Sequence, residues 1–176
     1  MTLTPLISSS EIQKLTRQLG AKITSDYKKL LGPKEELLVI VTLKGAMYFA
    51  ADLTRELDLP IHLDFIRLAS YGSGTQSTGS VRILKDIEST PEGQNVLVID
   101  EIVDSGRTLA FLFERLRAQR PKSLKLCTLL SKPSRREVEV VVDYLGTEVE
   151  DKFLVGYGLD YKEQFRNRID ILAVEL

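Results

Sequence analysis

Two unbroken aliphatic runs, Leu37-Leu38-Val39-Ile40-Val41 and Val96-Leu97-Val98-Ile99, constrain this chain more than any other feature. They are short and rich in β-branched residues, so they read as strands. A strand without a polar face is buried on both sides, as in a parallel sheet covered by helices. Each run leads through a turn into a segment of helical spacing. Lys44-Gly45 precedes a helix expected over Ala46–Leu57, and Asp100–Arg107 precedes one over Thr108–Gln119, stopped by Pro121.

Further strands are expected at Ile61–Ser70, Val81–Leu84, Leu124–Leu130 and Glu139–Tyr144. Near the start, Ser8 and Glu11 have capping-box spacing. Apolar residues then recur at Ile12, Leu15, Leu19, Ile23, Tyr27 and Leu30, and Gly32-Pro33 ends that helix. Alternating strands and helices imply right-handed crossovers and an α/β fold, a central parallel sheet flanked by helices. The last third breaks the alternation, so a small C-terminal subdomain is expected at about 132–176. Tyr71–Ser80, made mostly of Gly, Ser and Thr, reads as a mobile loop within about 70–82. Ligands of open α/β sheets bind beyond the carboxyl ends of the strands. The loops after residues 41, 70, 99 and 130 are therefore the ones that matter.

At 176 residues the chain reads as one domain, 1–176, able to bury about 70% of its unfolded surface. Lys plus Arg (24) balances Asp plus Glu (25), which argues against a nucleic-acid or anionic-membrane coat. Cys127 is the sole cysteine and lies in an apolar run, so it reads as a buried, inert thiol with no disulfide partner within the chain. His62 is the sole histidine and reads as a solvated strand residue; one Cys and one His cannot build a zinc site. Met1–Ser10 lacks a basic and apolar leader pattern, and no apolar run approaches the ~20 residues of a membrane span, so a cytoplasmic protein is expected.

The chemistry concentrates in Val96–Leu109. A hydrophobic strand delivers the adjacent acids Asp100 and Glu101; Asp104 follows, then Ser105-Gly106-Arg107-Thr108 at a helix start. The first amides of a helix are unpaired and its dipole favours an anion. Gly106 permits close backbone approach, and Ser105 and Thr108 add hydroxyl donors. Together they form a cradle for a phosphate monoester. Gly-x-x-x-x-Gly-Lys is missing, so this is not a nucleoside-triphosphate loop. By itself Asp-Ser-Gly-x-Thr would be an acidic turn before a capped helix; the strand and acid pair ahead of it favour the phosphate site.

In full, this run resembles the phosphoribosyl pyrophosphate (PRPP) motif of type I phosphoribosyltransferases. Leu43-Lys44-Gly45-Ala46 resembles the pyrophosphate loop of the hypoxanthine-guanine branch. Asp64–Tyr71 resembles its strand into a catalytic loop, and Asp151–Tyr161 with Phe165-Arg166-Asn167 its C-terminal hood. The resemblance implies that residues 104–108 hold the 5′-phosphate, while Asp100 and Glu101 face the ribose hydroxyls and a magnesium ion. Asp160 is implied as ligand to a second ion and as part of the purine site. Asp104 is implied as the catalytic group at purine N7. Lys44, Gly45 and Arg166 would receive pyrophosphate, with a cis peptide between Leu43 and Lys44. Lys132 would reach O6 of the base, Phe153 would stack on it, and Leu154 would offer backbone groups to its edge. Ser70 and Tyr71 would belong to the closing loop.

Some residues also have plainer readings. Arg166 would otherwise be a solvated charge, Phe153 and Leu154 core residues of a strand, and Lys132-Pro133-Ser134-Arg135-Arg136 a basic surface turn. The family usually has Glu before Asp in the acid pair; here Asp100 comes first, which leaves open which carboxylate meets the 3′-hydroxyl. The activity implied is purine salvage, transferring phosphoribosyl from PRPP to hypoxanthine or guanine with magnesium as cofactor. The implied partners are PRPP, a 6-oxopurine and further copies of the chain as a homo-dimer or homo-tetramer, with neither membrane nor nucleic acid. Two alternatives remain: a xanthine-preferring or orotate-type transferase, and an RNA-binding regulator on the same fold.

Overall fold

In the computed structural model, residues 2–70 and 81–175 are described. The two aliphatic runs become β2 (Leu37–Leu43) and the first half of β5 (Asn95–Val103). With β1 (Thr2–Ile7), β3 (Ile61–Ser70), β4 (Val81–Lys85), β6 (Ser123–Ser131), β7 (Tyr144–Glu148), β8 (Phe153–Val155) and β9 (Ile171–Glu175), they build two sheets. The larger has the order β4-β3-β2-β5-β6-β7, parallel except for β4. The two aliphatic strands are therefore neighbours at its centre.

Helices α1 (Ser9–Tyr27) and α2 (Met47–Arg55) cover one face, with Ile12, Leu19, Ile23, Phe49 and Leu53 packed on Val39, Val41, Leu97 and Ile99. Helix α3 (Arg107–Ala118) covers the other, with Leu109, Leu112 and Leu116 on Leu38, Ile40, Val96 and Val98. Alternate residues of β2 and β5 thus supply two separate cores, which explains why neither strand has a polar face. Cys127 is buried and the burial pushes its thiol up; His62 is exposed. No helix among the described residues is long and apolar enough to cross a membrane.

Local expectations for the described residues hold with three corrections; the loop expected at Tyr71–Ser80 lies outside them. Ser8 caps α1, its hydroxyl accepting from the Glu11 amide at 3.3 Å. The helix stops at Tyr27 instead of reaching Leu30, because the amides of Lys29 and Leu30 turn back onto Asp26 and Tyr27. Leu30 is consequently exposed. The strand expected at Glu139–Tyr144 begins only at Tyr144. The amides of Glu137 and Val138 bond to the Ser105 carbonyl, so this stretch crosses the loop after β5 before it joins β6, first pairing Tyr144 with Cys127. Its alternation is nonetheless real: Val140 and Val142 pack on the α3-side core while Val141 is 76% exposed.

The third correction is β1, for which the sequence offered no strand signal. It pairs antiparallel with β9, which pairs with β8, so the first residues join the C-terminal hood. Pro5 interrupts the strand's period, and the register shifts between Pro5 and Ile7. Proline is tolerated there because β1 is an edge strand.

Candidate active site

The carboxyl end of the large sheet gathers the loops singled out above. Between β2 and the β5–α3 turn lies a cleft of about 210 Å³ lined by Thr42, Asp100, Glu101, Asp104, Ser105, Gly106 and Thr108, with Leu43, Leu68, Ile102 and Leu109 as apolar walls. Asp100 and Glu101 occupy its floor because β5 continues past its aliphatic run. Asp100 Oδ1 accepts from the Thr42 hydroxyl at 2.6 Å and from the Glu101 amide at 3.0 Å. Burial pushes the Glu101 carboxyl well above its usual range, and the neighbouring Asp100 charge adds to the rise. Burial raises Asp100 too, opposed by hydrogen bonds from Glu101 and Thr42. The pair is therefore strongly disposed to receive positive charge or hydroxyl groups.

Gly106 precedes α3 with φ 85°, and a Cβ there would sit 2.3 Å from the Val138 carbonyl oxygen. Only glycine permits that crossing beneath the cradle. The start of α3 lines the cleft through Gly106, Thr108 and Leu109, and the first amides of a helix, which have no partner within it, favour an anion there. Arg107 turns away from it and pairs with Glu137.

Asp104 stands at the mouth of the cradle, its Oδ1 2.9 Å from Arg135 Nε. Lys132 is the first residue after β6; its amide bonds to the Val103 carbonyl at 2.9 Å, which places it beside Asp104. Only 6% of Lys132 is exposed, and its ammonium donates to the Lys152 carbonyl at 2.6 Å. Lys132 is thus a buried cation at the sheet's end and not part of a basic surface turn. Beyond it, Phe153 is 46% exposed and meets the Tyr161 ring edge-on, centroids 5.5 Å apart, whereas Leu154 is buried against the hood. The core reading thus fits Leu154 and fails for Phe153.

On the opposite side, the peptide between Leu43 and Lys44 is cis. Gly45 follows, where a Cβ would fall 2.0 Å from Glu101 Oε1. Arg166 donates to the Gly158 carbonyl at 2.7 Å and pairs with Asp160 at 2.8 Å. A Cβ on Gly158 would in turn meet the Gly45 carbonyl oxygen at 1.9 Å. The pyrophosphate-loop candidates, the acid pair and the hood are therefore in direct contact. Asp160 is engaged by Arg166 and by the Glu163 amide at 2.8 Å, which groups it with the cations. Ser70 ends β3, paired with Val81; Tyr71 lies outside the described residues.

Sequence reasoning missed Thr42, Arg135 and Glu163. Thr42 had a faint signal, a lone hydroxyl ending an aliphatic run. The other two had none, since both are charged residues in polar turns.

A parallel sheet with an acid pair and a helix N-terminus lining one cleft at its carboxyl edge defines the class: an α/β protein with its candidate site at the strand ends. The family model described as "Phosphoribosyl transferase domain" matches residues 8–162, and the chain belongs to that family, in its hypoxanthine-guanine phosphoribosyltransferase branch. It is 46% identical over 162 residues to the hypoxanthine-guanine phosphoribosyltransferase of Bacillus subtilis, covering 92% of this chain and 87% of that protein. It is also 46% identical over 173 residues to the bifunctional protein TilS/HprT of Listeria monocytogenes, covering 97% of this chain but 26% of that longer protein. A solved hypoxanthine phosphoribosyltransferase from Staphylococcus aureus superposes with a TM-score of 0.90 at 38% identity, covering 97% of this chain and 90% of that one.

Proposed function

We propose that this protein transfers the 5-phosphoribosyl group of PRPP to N9 of hypoxanthine or guanine, giving IMP or GMP and pyrophosphate in purine salvage. One observation carries the reading: Asp104 lines one cleft with the acid pair and the α3 N-terminus, and the backbone of the buried Lys132 is hydrogen-bonded to Val103, the residue before Asp104. Sugar, phosphate and base each have a partner within one short stretch of surface.

In this reading the α3 amides and the Ser105 and Thr108 hydroxyls hold the 5′-phosphate. Asp100 and Glu101 take the ribose hydroxyls. The Lys44 and Gly45 backbone and the Arg166 guanidinium receive the diphosphate. Asp104 accepts the N7 proton as the purine gains positive charge. Lys132 donates to O6; an ammonium cannot accept a hydrogen bond, so a 6-amino purine is disfavoured. Phe153 stacks on the base and the Leu154 backbone meets its edge. Ser70 and Tyr71 belong to the segment that closes over the substrates and keeps water from the anomeric carbon.

Magnesium fits the donor set. Asp100 and Glu101 offer paired hard oxygens in the cleft, while Asp160 would have to exchange Arg166 and the Glu163 amide to serve a second ion, and no cluster of three or more ligating side chains exists among the described residues. Such an ion takes one or two carboxylates and fills its shell with water and substrate oxygens. When bound, it supplies charge neutralisation to the departing pyrophosphate. We further infer a cytoplasmic homo-dimer or homo-tetramer, by analogy with the family.

The test is to supply PRPP and magnesium with hypoxanthine, guanine, xanthine, adenine, uracil or orotate in separate reactions. Conversion of hypoxanthine or guanine, lost without magnesium and absent with adenine and pyrimidines, is the expected outcome. Preference for xanthine would reassign the base. Inertness towards every base, with tight salt-sensitive RNA binding, would replace the enzyme with a regulator.

A further inference from the structure

Residues 161–164 form a two-residue hairpin turn. Tyr161 and Gln164 exchange backbone hydrogen bonds at 3.1 and 3.0 Å, and the two residues between them have positive φ: Lys162 at 50° and Glu163 at 66°. Turns with two positive φ values favour Asn and Gly. Lys and Glu carry a side-chain penalty there, and such strain is retained where the surroundings enforce it. The turn is held by its own backbone bonds and by the Asp160 carboxylate, and two cations lie beside it. Glu163 Oε2 lies 2.8 Å from Lys44 Nζ and 3.3 Å from Arg166 Nη2. A single carboxylate oxygen therefore joins the loop after β2 to the hood.

This oxygen competes for the charges that a diphosphate would use. Arg166 has its Nη1 on Gly158 and its Nη2 shared by Asp160 and Glu163, while its Nε is buried without a hydrogen-bond partner. Lys44 holds the Glu163 carboxyl below its usual range, so the group is ionised at neutral pH. Asp160, by contrast, is tied into the turn, its second oxygen accepting the Glu163 amide. Glu163 is exposed and reaches the cations by its side chain alone. It can rotate away without disturbing the turn, and Asp160 cannot.

We propose that Glu163 is an internal counter-anion of the pyrophosphate subsite: its carboxylate occupies the gap between Lys44 and Arg166 and must be displaced when a diphosphate binds. The proposal rests on the reading of Arg166 given above and adds the Lys44 ammonium, 2.8 Å from Glu163, to the Lys44 and Gly45 backbone as a diphosphate contact. Its consequence is selectivity by threshold. A multiply charged diphosphate outcompetes one carboxylate, whereas a singly charged anion or inorganic phosphate does so poorly.

The experiment is calorimetric titration of pyrophosphate, in magnesium, into the full chain and into Glu163→Gln and Glu163→Asn. Removing the carboxylate should tighten pyrophosphate binding roughly three- to tenfold, the range expected for loss of two partly exposed ion pairs. Inorganic phosphate, where it uses the same two cations, should gain by a similar factor, and affinity for IMP, which lacks the diphosphate, should stay unchanged. Asn accepts positive φ, so equal tightening in both variants assigns the effect to charge and not to turn strain. Unchanged or weaker pyrophosphate binding in both variants would overturn the inference, with Glu163 then orienting the cations instead of shielding them. Binding of IMP but not of pyrophosphate by all three proteins would remove Lys44 and Arg166 from the diphosphate site, and the inference with them.

Discussion

Arg135 Nε lies 2.9 Å from Asp104 Oδ1 while Arg135 Nη1 lies 3.3 Å from Asp151, so one guanidinium ties the loop before α3 to the start of the hood. Both carboxylates are about half exposed, and pairs of that kind contribute at most about 1 kcal/mol to stability. The expected effect of Arg135→Ala is therefore on the base and not on folding. The KM for hypoxanthine should rise several-fold while the KM for PRPP and the unfolding midpoint stay put. Equal rises in both KM values would show that Arg135 acts on the whole site.

Lys132 is tested by Lys132→Met, which keeps the apolar stem and removes the ammonium. If the ammonium reads O6, hypoxanthine should lose at least about tenfold in kcat/KM relative to adenine, about 1.4 kcal/mol of discrimination. An unchanged ratio would leave the ammonium as a structural donor to the Lys152 carbonyl.

Gly106→Ala places a methyl group against the Val138 carbonyl at positive φ. Strain of this kind costs of order 1–3 kcal/mol before the clash is counted. The variant should unfold earlier and lose affinity for IMP by more than tenfold, read by titration. Retained IMP affinity would mean that the phosphate is held elsewhere than on α3.

Asp64 is 5% exposed and takes no part in the cleft. It accepts from the amides of Phe65 at 2.7 Å and of Glu88 and Ser89 at 2.8 Å each. Burial alone would raise its carboxyl, but these donors outweigh it and hold the group below the usual value of 3.8. A depressed value in the fold stabilises at pH above the unfolded value and fades as pH falls through the folded one. Asp64→Ala should cost about 2–3 kcal/mol near pH 7, since it leaves buried amides unpaired. In urea titrations that gap should narrow near pH 3. A gap of equal size at both pH values would deny the charge any role.

Asp64 also shows how far local pattern could be followed. Its segment matched a family motif, yet its work is to pin the chain after β4 and not to touch a ligand. What could be read directly was whatever neighbouring residues decide: the aliphatic strands, the Ser8 cap, and the acid pair running into the α3 start. The strand ahead of Lys132 located it at the sheet's carboxyl end, but the polar turn that follows reads as surface and hid its burial. Contacts between distant turns could not be read. Nothing near Arg135 announces Asp104, and nothing near Glu163 announces Lys44, because hydrophobic periodicity carries no information about which charges meet across a cleft. Residues 2–7 stayed silent for a related reason: Pro5 spoils the alternation, and the strand exists only because β9 presents a free edge.

That pairing places Leu3, Val174 and Phe153 in one row across the small sheet, and Thr2 beside Glu175. The two extremities of the described chain are therefore paired in neighbouring strands, and the second of these, β9, also pairs with the strand that carries Phe153. A brief peptide could join them, and the backbone could be reopened at an exposed turn on the far side of the large sheet, with every ladder retained. The same adjacency makes fusion geometry consequential: a bulky partner attached at either extremity would lie within two strands of Phe153.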